Sequence, residues 1–439
     1  MSSAKSSRRV VITGMGVISP LGNTPQSLWG ALVEGRSGVA RLPEDFPAVL
    51  ARYGAQARDF TGDIDGFGPL EGEKKKAIRK GLKVMCRESQ MGVAAAQRAI
   101  NDAGLSPTNH DPERTGVVYG SDYMLTMPDE FTASIRECIV DADGFQFSRW
   151  AGPGMEKMPP LWLLKYLPNM PASHIAIYND MRGHSNSITH REAAANLAIA
   201  EAFRVITRNH ADCMVAGATG SRVHPMKAVH ALQQEQLADQ DCEPAAACRP
   251  FDRDRSGMVL GEGSGAVILE EREHALARGA RIYGEIAGAG SSSVADRNLV
   301  ARRDAALANA MRSALSDAGA APQTVGHIQA HGLGTRTCDA DEARAIREVF
   351  GSYAQQLPVS AAKSYFGNLG AGSGMVELIA GTLALGEQRL FRVLNYQTPD
   401  PECPIAAVCS SDTPAGDSFL NLNVTPQGQA SCVMVRRGS

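Results

Sequence analysis

The chain has 439 residues, of which 44% are hydrophobic and 21% charged, with a net charge of −3 at pH 7. That balance is ordinary for a globular protein and supplies no broad positive field, which argues against nucleic acid as the main partner. The polar stretch Met1–Arg9 lacks the apolar core of a secretion signal, and no apolar run reaches the ~18 residues of a membrane span, so a cytoplasmic protein is expected.

In chain order, Arg9–Gly22 ("RVVITGMGVISPLG") reads as a β-branched strand ending in glycines, and a helix pattern follows at Ser27–Gly35. "RAINDAGLSP" (Arg98–Pro107) closes an Ala-rich helix at Asp-Ala-Gly, with Gly as its C-terminal cap and Pro three residues on. A strand follows in "RTGVVYGSDY" (Arg114–Tyr123). The stretch 121–169 holds Met, Trp and Pro clusters and has no later counterpart. It reads as an inserted cap, either covering substrate or forming a dimer contact surface. In "SITHREAAANLAIAEAFRVI" (Ser187–Ile206) a small-residue helix runs from Ala193, with Leu197, Ala198, Val205 and Ile206 on one face. Three ionisable residues, His190, Arg191 and Glu192, stand at its start, which is unexpected in a stretch built for burial.

The second part of the chain echoes the first. Ile282–Ser292 ("IYGEIAGAGSS") repeats the strand-then-glycine form, Ser313–Pro322 ("SALSDAGAAP") repeats the Asp-Ala-Gly stop, and Val325–Thr335 ("VGHIQAHGLGT") repeats the following strand. The shared order points to an internal duplication breaking near Glu271–Arg278, with halves 1–272 and 273–439. Strands alternating with helices predict an α/β architecture around buried, mostly parallel sheet. The nine cysteines include no CxxC pair and no Cys/His zinc spacing, so reduced structural thiols, no metal and no cofactor are expected.

Several stretches resemble the β-ketoacyl-acyl-carrier-protein synthases, the condensing enzymes of fatty-acid and polyketide synthesis. They are "RRVVITGMGVISPLG", "YLPNMPASHIAI" (Tyr166–Ile177), "FDRDRSGMVLGEGSGAVILEEREHALARGARIYGEI" (Phe251–Ile286), "AHGLGTRTCDADE" (Ala330–Glu342) and "AAKSYFGNLGAGSG" (Ala361–Gly374). The resemblance spans nearly the whole chain. It implies the thiolase fold, a duplicated five-layered αβαβα structure, with acyl carrier protein and an acyl thioester as partners in a homodimer or in a heterodimer with an active ketosynthase. Such enzymes hold a cysteine at a helix N-terminus, where the dipole favours the thiolate, and polarise the thioester carbonyl with two histidines.

This chain departs from that pattern. Ungapped alignment of "GHSNSITHREAAANLAIAEA" puts Glu192 at the position of the cysteine; the nearest cysteine in sequence, Cys213, lies in an apolar strand. A carboxylate there is expected to serve as a general base, an effect of about 10²–10⁴-fold, or merely to cap the helix in a retired slot. Because that slot is expected to be exposed, Glu192→Ala should leave the fold intact. His331 aligns with the first family histidine, Asn368 replaces the second, and the two are expected to form an oxyanion hole. Lys363 matches the family lysine, with Glu342 as the expected acidic partner. Thr335 and Asp339 match family positions, whereas Leu333 replaces a threonine that helps bind the malonyl carboxyl group. The family's gating Phe loop is replaced by "NVTPQGQAS" (Asn423–Ser431), with Thr425 at or near the gate. Two functions stay open. One is a non-elongating catalyst on carrier-protein thioesters, decarboxylating or using Glu192 as base. The other is a non-catalytic partner like the chain-length factors. An unconventional condensing enzyme is a third, less supported reading.

Overall fold

The computed structural model describes residues 8–438; the part of the signal-free N-terminal reading that concerns residues 1–7 lies outside them. Ten strands carry the architecture. In the first half they are β1 (Val10–Ile18), β2 (Thr115–Ser121), β3 (Ser185–Thr189), β4 (Cys213–Ser221) and β5 (Leu260–Glu271). In the second they are β6 (Gly284–Ser293), β7 (His327–Gln329), β8 (Pro358–Ser360), β9 (Ser418–Val424) and β10 (Gln429–Arg437). The spatial orders are β1-β5-β4-β2-β3 and β6-β10-β9-β7-β8, the same permutation twice. In each half the first strand pairs antiparallel with the fifth and the fifth antiparallel with the fourth. The fourth, second and third then pair in parallel. The sheets are therefore mixed, which corrects the mostly parallel expectation: a continuous apolar run reports burial on both faces, and strand direction is set by the connections. β1 and β6 join the two sheets through three antiparallel pairs, Val10↔Ile286 to Ile12↔Gly284.

Helices fill the remaining layers. α1 (Arg87–Asp102) packs on β1, β4 and β5, and α4 (Arg303–Asp317) packs on β6, β9 and β10. Between the sheets lie α2 (Ala194–Thr207) and α6 (Ser373–Glu387), each touching strands of both halves. α6 is buried almost all round, as a helix between two sheets must be, and its Glu377 is buried with it. The remaining helices used below are α3 (Pro225–Leu232) and α5 (Arg336–Phe350).

The Asp-Ala-Gly echo has a structural job. Asp102 Oδ2 accepts the Met15 amide at 2.8 Å, and Asp317 Oδ2 accepts the Ala289 amide at 3.0 Å. Each tie falls just past a register shift, Ile12/Gly14 in β1 and Ile286/Gly288 in β6. Beside these ties the strand glycines let the helix backbone come close. A Cβ on Gly16 would sit 2.0 Å from the Ala95 carbonyl oxygen, and one on Gly290 would sit 2.2 Å from that of Ala310.

The segment 121–169 folds as short helical turns and a small hairpin. It exposes Ile139, Phe145, Phe147, Leu161 and Leu163, with Phe147 75% accessible. β3 ends its sheet, bonded only to β2. Among the described residues, no helix is long and apolar enough to cross a membrane.

Gly16→Ala is expected to lower stability by about 1–3 kcal/mol, because the clash is with helix backbone that cannot rotate away. Urea denaturation of the variant beside wild type measures it, and an unchanged midpoint would remove the close-packing account.

Candidate active site

The chain leaves β3 at His190 and turns at Arg191, whose φ of +50° is unusual for a residue with a side chain. A 3₁₀ turn, Arg191–Ala193, then feeds α2. This strand–turn–helix corner carries Glu192 inward, where it is only 2% exposed. The exposed slot expected from sequence is thus corrected: the turn at Arg191 reverses the side-chain direction, so Glu192 points into the protein.

Glu192 is held on several sides. Its Oε1 accepts Arg222 Nη2 at 2.6 Å and Asn368 Nδ2 at 3.1 Å. Arg191 Nε lies 3.7 Å from Oε2. Arg222, fully buried just past the end of β4, also places Nη1 2.8 Å from Asp122 Oδ2. Burial pushes the Glu192 carboxyl upward, but the Arg222 and Arg191 guanidinium groups outweigh it and hold it well below the usual carboxylate range. Glu192 is therefore an anion at neutral pH.

A second chain supports His331. Asn423 Nδ2 donates to Glu377 Oε2 at 2.8 Å, and Lys363 Nζ donates to Glu377 Oε1 at 2.5 Å. The same ammonium reaches the His331 carbonyl at 2.7 Å and His331 Nδ1 at 3.3 Å. Burial and then the Lys363 charge push the imidazole well below its ordinary value, so it is neutral. A lysine donating to Nδ1 leaves the ring proton on Nε2, the nitrogen free to polarise a carbonyl. The expected Lys363–Glu342 pair is corrected. Glu342 instead accepts the backbone amides of His331 and Gly332, at 2.7 and 2.8 Å, and burial pushes its carboxyl up to about 7. Asp339 braces the same loop by accepting the Gly334 and Phe251 amides. The cation in this interior goes to Glu377 because that carboxylate lies within an apolar helix, where it has to be paired.

Asn368 is oriented by its own turn, its Oδ1 accepting the Gly370 amide at 2.9 Å. That leaves its Nδ2 aimed at Glu192, so the expected oxyanion donor is already engaged. Thr425 lies in the β9–β10 turn with its hydroxyl bonded to Gln429 Oε1 at 2.9 Å. Thr335 is buried and lines a neighbouring surface pocket with Gln234 and Glu235, apart from Glu192.

Glu192, Arg222, His331, Asn368 and Thr425 line one cavity of about 10 Å³, room for about one water. Arg191 closes it, donating to Gln234 Oε1 at 2.6 Å and Gln427 Oε1 at 3.2 Å. No residue of 121–169 lines it, so the cap contributes nothing to its wall. Sequence reasoning missed Arg222, Asp122, Glu377 and Cys338. Cys338 also lines the cavity, and burial pushes its thiol well above the ordinary value, leaving little thiolate. Arg222 had one signal in the sequence, a charge directly after an apolar strand; Glu377 had another, the single charge inside "SGMVELIAGTLALG".

Two family models match the chain, the beta-ketoacyl synthase N-terminal domain over residues 7–275 and the beta-ketoacyl synthase C-terminal domain over residues 283–397. The 3-oxoacyl-[acyl-carrier-protein] synthase 2 of Synechocystis is 34% identical over 91% of this chain and 90% of its own. That of Coxiella burnetii is 33% identical over 91% of each. Among solved structures, a beta-ketoacyl synthase from Burkholderia phymatum is 27% identical, with a TM-score of 0.84 over 98% of this chain and 100% of its own. The ishigamide ketosynthase/chain length factor is 26% identical, with a TM-score of 0.83 and the same coverage.

Arg222→Ala should destabilise the protein by about 3–5 kcal/mol, because it leaves two buried carboxylates unpaired. Glu192→Ala should destabilise less, since Asp122 still pairs Arg222. A Glu192 pKa depressed by folding contributes stability that is complete above the unfolded value of about 4.3 and is lost as pH falls below it. The stability gap between wild type and Glu192→Gln should therefore narrow steadily as the pH falls below about 4.3. A gap that stays constant in acid would contradict the ion pair.

Proposed function

The chain belongs to the β-ketoacyl synthase family, and we propose that it serves carrier-protein-dependent fatty-acid or polyketide synthesis without forming an acyl-enzyme, as the partner of a cysteine-bearing ketosynthase. One observation carries this reading: the group at the head of α2 is a carboxylate clamped by Arg222 in a cavity the size of one water. Two buried donors, Arg222 and Asn368, lower the reactivity of the carboxylate through Oε1. A general base works best with a pKa near the ambient pH, and the two arginines move Glu192 away from it. The general-base role expected of Glu192 is therefore disfavoured by its surroundings.

The outer surface supports a partner. β3 offers an unpaired strand edge, and the 121–169 segment exposes Phe145, Phe147, Leu161 and Leu163. Such features are usually covered in an assembly. The solved ketosynthase/chain length factor of similar fold is itself such a pairing.

A second reading rests on His331. Its neutral ring, with the proton on Nε2 and Lys363–Glu377 behind it, suits stabilising the enolate formed when a malonyl thioester loses carbon dioxide. Opening the cavity would have to precede that step.

The purified protein incubated with malonyl- and acyl-carrier protein should show no product and no acyl adduct, Cys338 included, by intact-mass and peptide mass spectrometry. Co-expressed with a cysteine-bearing ketosynthase of its pathway, it should elute as a stable complex. Turnover by the isolated chain that Glu192→Gln abolishes would overturn the partner reading. Decarboxylation that falls at least ~100-fold in His331→Ala, and not in Glu192→Gln, would favour the second reading.

A further inference from the structure

Two segments meet over the mouth of the cavity. One is Gln234 and Glu235, just past the end of α3; the other is Pro426 and Gln427, in the turn between β9 and β10. Gln234, Glu235 and Pro426 belong to the cavity wall. Two arginines from opposite halves of the chain tie these segments together, and each reaches both. Arg191, at the head of α2, donates to Gln234 Oε1 at 2.6 Å and to Gln427 Oε1 at 3.2 Å. Arg303, the first residue of α4, donates to Glu235 Oε1 at 2.6 Å and to the Pro426 carbonyl at 3.4 Å. Adjacent residues of one segment are thus joined to adjacent residues of the other, twice over. The planar guanidinium suits the task, because it carries five donors in a fixed fork.

The two ties differ in depth. Gln234 and Gln427 are exposed, so water competes for the Arg191 bonds. The Arg303 and Glu235 side chains are only 13% and 7% exposed, so that charged pair is screened less and holds harder. Arg191 also lies in the left-handed region, at φ +50°, which a residue with a side chain keeps only where its surroundings fix it. The turn is braced within itself: the Thr425 amide donates to the Gln429 carbonyl at 2.9 Å and the Gly428 amide to the Thr425 carbonyl at 3.0 Å. A turn so braced moves as one piece.

We propose that Arg191 and Arg303 form one clasp, an autoinhibitory lock that holds the β9–β10 turn over the cavity and shuts Glu192 and His331 away from every solute larger than water. The clasp goes beyond the partner reading and is independent of it. Turnover by the isolated chain bears on that reading, whereas chemical access to the cavity bears on the clasp.

Cys338 lines the cavity and is 2% exposed, so its alkylation reports opening. Iodoacetamide transfers its carbamoylmethyl group to the thiol sulfur, releases iodide and leaves the thiol proton to the buffer. Peptide mass spectrometry follows Cys338, with Cys213 and Cys432, buried in β4 and β10, as reporters of global unfolding. In wild type, Cys338 should stay unmodified while the exposed Cys409 is consumed. Arg303→Met with Glu235→Leu removes the inner tie without stranding an ion, and Arg191→Gly removes the outer one at a φ that glycine adopts freely. Together they should raise the Cys338 rate at least ~10-fold, with Cys213 and Cys432 unchanged. The charge of the thiol works against that rise: burial raises the Cys338 pKa, and Arg303 opposes burial more than Glu235 adds to it, so losing both leaves less thiolate. Gln427→Ala loosens the outer tie while removing nothing from the cavity wall, and it should raise the rate by less. Hydrogen exchange of the 425–428 amides should quicken in the same variants. A wild-type Cys338 modified as fast as Cys409 would overturn the proposal, as would a triple variant whose Cys338 and turn amides stay as protected as in wild type. If the triple variant unfolds and exposes Cys213 and Cys432 as well, Arg191→Gly with Gln427→Ala decides. Faster labelling of Cys338 alone upholds the clasp, and unchanged labelling removes it.

Discussion

A carboxyl buried at the junction of a sheet and a central helix stays anionic when a cation is buried with it. In this protein the cation is Arg222, and much of the site follows from that pairing. The Arg191 turn sends Glu192 inward, Arg222 reaches from the end of β4 to meet it at 2.6 Å, and Asn368 turns its amide toward the same oxygen. Without Arg222, burial would drive the carboxyl to its neutral form; with it, the anion is stable and closely held. The same arginine takes buried Asp122 as a second partner.

Across the cavity from Glu192 stands a second buried polar series. Asn423, Glu377, Lys363 and His331 form one hydrogen-bonded series, and Glu342 and Asp339 fix the loop that carries the histidine through its backbone amides. None of these groups depends on Glu192 for its partners. A residue at the head of α2 can therefore change while the opposite wall keeps its geometry. That separation explains how a synthase-type scaffold holds together around a carboxylate.

Legibility in the sequence followed the range of the interaction. The Asp-Ala-Gly stops were visible as a repeated local string, and the structure gives each the same task, tying a strand amide beside a register shift. Glycine-rich strands and small-residue helices announced close packing, and Gly16 and Gly290 meet helix carbonyls as that predicts. His331, Asn368 and Glu192 were found by register and do meet at one cavity. The Lys363 partner was misassigned because Glu342 and Glu377 are both buried carboxylates near it in the chain. Only the fold shows that one faces backbone amides and the other the ammonium.

The sequence by itself determined the layered α/β scaffold, its duplication and the presence of a carboxylate at the head of the buried helix. These depend on periodicity, caps and short motifs, which act between residues close in the chain. Tertiary structure alone decided what surrounds that carboxylate. Glu192 and Arg222 are thirty residues apart, and Glu192 and Asn368 are 176 apart. Whether a buried carboxyl is a base, a nucleophile or an inert anion depends on charges within a few ångströms, and those neighbours come together only when the strand ends converge.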